Sequence, residues 1–234
     1  MEPGHTDKGP GDGTDTTVKR ARDLLPAIVI TVLSMIQALA LELFWSRFQE
    51  SEFLWQGDGW ALIGWMQFGL LLLGIVAIWL VYVSLMLRFS WIPSMGDTTV
   101  PFVIGLLEFA LIDLTSPDTI GPWFVVLGLL LGLGLGTTRL SLRKARRDPA
   151  NAWFFHGIPP ASWRDHLSDF TMTALLLLLG IFLWAGDPGP LLMLASLVYA
   201  FMVMGLQLFM TYRFWLPLRA GAAEPPEPPA ESEA

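Results

Sequence analysis

Six apolar runs, each near the length of a membrane crossing, constrain this chain more than anything else in it. The first covers residues 24–45, and at 1.5 Å per residue its 22 residues reach ~33 Å, about one bilayer core. The others lie at about 59–87, 99–115, 120–138, 170–185 and 190–215. Polar turns punctuate them, among them Ser116-Pro117-Asp118 and Gly186-Asp187-Pro188-Gly189. The pattern predicts an all-α integral membrane protein, a bundle of six transmembrane helices in three antiparallel hairpins. Lys19, Arg20 and Arg22, the apolar core after them and Ala38-Leu39-Ala40 also match a secretory signal. The run continues past that site through Leu41, Leu43, Phe44 and Trp45, which favours an uncleaved helix.

Charge supports the same count. The formal net charge of −7 resides in the tails, −3 in residues 1–18 and −4 in residues 220–234, and both segments read as disordered from composition. Residues 19–219, the membrane domain, hold equal numbers of acids and bases. With six spans, 13 of the 14 basic residues fall on one side and Arg47 alone on the other. Such asymmetry puts both termini in the cytoplasm. A basic run of Arg139, Arg143, Lys144, Arg146 and Arg147 opens a cytoplasmic loop, 139–169, too polar to span and rich in aromatics. It is expected to lie along the interface, its cations setting topology or meeting anionic lipid headgroups. Arg outnumbers Lys by 11 to 3, and Ala, Gly and Pro are abundant, as in a GC-rich bacterial gene. The expected location is a bacterial inner membrane.

Several classes are excluded or lack support. No region is basic enough to bind nucleic acid. Cysteine is absent, which removes disulfides, thiolate metal sites and Cys nucleophiles. There is no His-Glu-x-x-His, Gly-x-Ser-x-Gly or Walker loop, and His156 and His166 are badly spaced for a metal. No cofactor or metal is expected, and a lipid-modifying enzyme lacks a catalytic set.

The polar residues inside the runs carry the functional reading. An acid at the bilayer centre costs ~2.5–3.5 kcal/mol on insertion scales, so it should face protein or water. Counting ~1.5 Å per residue puts Gln37, Gln67 and Glu108, from three different spans, at one level roughly 12 Å below the outer surface. Glu42 and Asp113 share a shallower level. Three stripes are expected to face inward: Ser34, Ala38 and Glu42; Gly64, Gln67, Leu71 and Gly74; and Gly105, Glu108 and Ile112. A carboxyl held out of water can exchange a proton or ligate a cation. One reading is therefore a small transporter or channel-like protein with an outward-facing polar pocket around Glu108. The other is a non-catalytic scaffold or accessory subunit. It would pack through Gly128, Gly132 and Gly136, a small-xxx-small ridge that fits a helix of the same chain, a second copy or a membrane partner.

Overall fold

The computed structural model describes residues 11–89, 95–156, 162 and 167–215. The expected head up to residue 10, the tail 220–234, Trp163 and His166 lie outside them. The described residues are helical throughout, with no strand. They form α1 (Gly11–Glu50), α2 (Gly59–Arg88), α3 (Met95–Asp113), α4 (Ile120–Arg147), α5 (Ala152–Phe155), α6 (Leu167–Ala185) and α7 (Pro190–Trp215). Five of these, α1, α2, α4, α6 and α7, are long and apolar enough to cross a membrane. The remaining expected span, 99–115, corresponds to α3, a 19-residue helix that carries Asp97, Glu108 and Asp113.

Local chemistry sets the helix ends. Gly57 takes a positive φ of 73°, and the Asp58 carboxylate then caps α2 by accepting from the Ala61 N–H at 2.9 Å. The turn between α3 and α4 is held by hydroxyls: Thr115 donates to the Leu111 carbonyl at 2.8 Å and Thr119 to the Leu114 carbonyl at 2.6 Å. α4 runs nine residues beyond the expected end of its span, so the basic run 139–147 is helical rather than loop. Nothing breaks the helix before Pro149, and cations near a helix C-terminus are favoured by its dipole. α1 reaches back past Pro26 to Gly11, into the polar stretch whose composition reads as disorder.

The order of packing differs from three sequential hairpins. α1 packs on α2 and α3, and α3 on α4, as chain neighbours do. α6 instead lies along α4, α7 lies along α2, and α6 and α7 touch only lightly. The cause is the small-residue face of α4. A methyl built on Gly121 would sit 2.5 Å from the Trp184 backbone nitrogen. One on Gly128 would sit 2.7 Å from the Leu177 side chain, and one on Gly132 3.3 Å from Thr173. In return, a methyl on Gly180 would lie 2.6 Å from the Val125 nitrogen. The pairs keep one antiparallel register along the helices, continued at the basic end by the Arg139–Asp169 ion pair at 3.2 Å. Gly136, the last member of the expected ridge, meets nothing within 4 Å. The partner of the ridge is thus a helix of the same chain.

A second, smaller cluster closes the basic end. Phe89 packs against Phe154 and Phe155 of α5, over Leu85 and Ala145. Arg88 lies over the Phe154 ring and Arg146 over the Phe155 ring. The start of the 139–169 segment is therefore folded onto the bundle, aromatic faces covered by guanidinium groups.

Candidate functional site

α1 and α3 pack closely: a methyl at Gly105 of α3 would come within 2.5 Å of Ile36 on α1. That approach lets two polar side chains meet between them. Gln37 Nε2 donates to both carboxylate oxygens of Glu108, at 2.8 Å to Oε2 and 3.1 Å to Oε1. Glu108 is 1% exposed and Gln37 4%. No cation lies within ion-pair distance of Glu108 among the described residues. The Gln37 amide oxygen has no hydrogen-bond partner in the protein, so the pair is half satisfied.

The other expected members fall elsewhere. Gln67 is fully buried, but its amide nitrogen points to the Ser116 carbonyl at 3.4 Å, a long contact, and its oxygen is unpartnered. Glu42 and Asp113 stand exposed on the outside of α1 and α3 and take no part in the site. The faces of α2 and α3 are as expected: Gly64, Gln67, Leu71 and Gly74 are buried, and so are Gly105, Glu108 and Ile112. The face of α1 is not. Leu33, Ile36, Gln37 and Ala40 turn inward, while Ala38 and Glu42 turn out and Ser34 is half-buried. Apolar side chains at heptad-like spacing, rather than small and polar ones, select the buried face of this helix.

Glu108 also stands at the closed end of a cavity of about 140 Å³ bounded by α2, α3, α4 and α7. Around it, Leu71, Ile104, Leu111, Trp123 and Leu127 are buried. Away from it the wall changes to half-buried residues, including Tyr82, Gly134, Thr138, Gln207 and Thr211. The cavity therefore opens toward the end of the bundle that holds Arg88 and the basic turn of α4, the opposite direction from the expected outer vestibule. Its middle is apolar rather than polar. At the other end of the bundle, Phe44, Phe48, Trp55, Trp65 and Phe68 form a chain of edge-on and stacked rings. Gly64 lets Phe53 and Leu54 close over the start of α2 there.

Trp123 lines the buried end of this cavity. It is 0% exposed, packed edge-on against Phe124, and its indole N–H has no partner in the protein. The signal was available: Trp123, Leu127, Leu130, Gly134 and Thr138 recur at helical spacing and make one face of α4, the cavity face. Gly121, Gly128 and Gly132 face α6 instead.

Of the basic run, Lys144 is engaged with Asp97 of α3 at 2.7 Å, and Arg139 with Asp169 and the Phe170 ring. Arg143 and Arg147, one helical turn apart, are exposed. No group of three or more metal-ligating side chains occurs among the described residues. No family model, curated protein or solved structure matches this chain.

Proposed function

We propose that this chain is a six-span membrane protein with both termini cytoplasmic, α3 being the sixth span, and that it acts as a small transporter or channel-like protein worked by Glu108. The observation that carries the reading is the placement of that carboxyl: buried between α1 and α3, at the closed end of a cavity, with one amide as its partner. Gln37 suits a group that changes its proton. As an amide it donates to an ionised carboxylate. Turned over, its unpartnered oxygen accepts from a protonated one, and the two groups close a reciprocal acid–amide pair. In the proposed orientation the basic residues mark the cytoplasmic side, so the cavity opens inward. Arg143 and Arg147 then face anionic headgroups of that leaflet.

The scaffold reading is weakened, because Gly128 and Gly132 already hold α6. The test is flux in proteoliposomes of the full chain across a pH gradient. Glu108→Gln keeps the shape and one hydrogen bond but cannot carry a proton, and it should abolish pH-dependent flux. Equal flux in the variant and the wild type would refute the reading.

A further inference from the structure

We infer that the cavity binds a compact lipophilic amine, its ammonium at Glu108 and its apolar body among the residues below. The inference rests on the assignment of Glu108 as the working group and names the class of ligand it meets. Three observations converge on it. The wall between Glu108 and the mouth is made by Leu71, Ile75, Ile104, Leu127 and Leu130. This apolar stretch offers a water few of the two to four polar partners it needs, so a hydrated ion does not suit this part of the cavity. Its volume of about 140 Å³ is close to the ~150 Å³ of an engineered cavity that takes up benzene. At its closed end stands a carboxyl with no cation within ion-pair distance among the described residues, and the fully buried Trp123 lines the same cavity. A carboxylate and an aromatic face are the two groups that most favour an ammonium out of water.

The mouth at the basic end is open on its α4–α7 side. α4 and α7 supply facing walls of the cavity, yet no substantial packing joins them, and α6 and α7 touch only lightly. Gly134 on the α4 wall has nothing within 4 Å of where a side chain would begin. A molecule dissolved in the bilayer can enter between α4 and α7 past this point.

The test uses benzylamine against its neutral counterpart benzyl alcohol, with purified full-length protein in nanodiscs and binding read by calorimetry. Wild type should bind benzylamine at least tenfold more tightly than benzyl alcohol. Glu108→Gln should lose that preference and keep the weak binding of the alcohol. Gly134→Leu, which fills the passage and favours the helix, should lose both while its melting temperature stays at or above wild type. Absence of benzylamine binding in wild type would overturn the inference, and so would equal affinity for the two probes. Binding unaffected by Gly134→Leu would place the ligand elsewhere and overturn it too. These failures are separable from that of the transport reading: Glu108-dependent flux without benzylamine binding sinks only the ligand class. Glu108-dependent binding without any flux sinks only transport.

Discussion

The contact between α4 and α6 depends on glycine, and Gly180→Ala tests it. The added methyl would meet the Val125 nitrogen at 2.6 Å, its Cγ2 at 2.9 Å and the Phe124 carbonyl carbon at 3.0 Å. Two of these are backbone atoms of a helix, which cannot turn aside as a side chain can. Restoring ordinary contact at about 3.4 Å requires the helices to part by roughly 0.8 Å at this level. A gap of ~0.5–1 Å forfeits about a quarter to a half of the dispersion attraction of the atoms concerned. Overpacking of this kind costs ~1–3 kcal/mol. Between helices in lipid no hydrophobic gain offsets it. Because two of the clashes are with backbone, the upper part of that range, ~2–3 kcal/mol, applies; the helix gain of Ala over Gly returns up to ~1 kcal/mol, so the net loss is about 1–2 kcal/mol. Gly136→Ala is the control on α4, since nothing lies within 4 Å and only the helix gain remains. The assay is unfolding of the full-length protein by SDS titration in mixed micelles, followed by circular dichroism. The two variants should differ by about 2 kcal/mol, with wild type between them. If Gly180→Ala matches wild type, or Gly136→Ala is equally damaging, the helices are not held by close approach at these glycines.

In the same assay Gln37→Leu should destabilise by ~1–2 kcal/mol, because it leaves Glu108 without its partner, and the double variant Gln37→Leu/Glu108→Leu should recover most of that loss. A purely additive double variant would mean that the two side chains do not interact. Asp97→Asn removes the ion pair with Lys144, whose side chains are 14% and 36% exposed, and should cost no more than ~1 kcal/mol, an effect that fades in high salt. A loss that persists in high salt would mean that Asp97 acts through something other than this pair. The absence of cysteine allows a direct topology test with single substitutions in the full chain. An impermeant maleimide applied to cells should label Asp118→Cys without permeabilisation and Arg143→Cys only after it; the reverse, or labelling of both, would refute six spans with cytoplasmic termini.

The elements themselves were legible because hydropathy alone sets them. The expected 59–87 and 190–215 fall almost residue for residue on α2 and α7. Their ends were less so. A helix leaving the apolar run continues through Arg, Lys and Leu until a proline or a cap stops it, as α4 does at Pro149. Depth counting put Gln37 and Glu108 at one level because α1 and α3 run in the same direction, so similar counts back from their C-terminal ends reach similar levels. It could not find the bond from Gln67 to Ser116, which depends on how the α3–α4 turn folds back. The glycine ridge announced a close contact but not its partner. That partner is decided by Gly180 and the small footprint it leaves opposite Val125, a complementarity spread over two distant segments. The course of the cavity away from Glu108 was not legible for a related reason: it lies where α4 and α7 fail to pack, and an absence of contact has no periodicity.

Energetics separate a port from a clasp. If Glu108 served only to tie α1 to α3, it would be a poor choice. An acid in the hydrocarbon costs ~2.5–3.5 kcal/mol, whereas hydrogen bonds between membrane helices return ~0.6–2 kcal/mol. A leucine pair, or a glutamine facing Gln37, would join the helices with less strain on stability. The amide oxygen of Gln37 is left unmatched, and Glu108 lines a cavity, where a pure clasp would be packed over. A deficit of roughly 1–3 kcal/mol, a half-satisfied partner and open space beside the group together support the proposed role of Glu108 over that of a tie between helices.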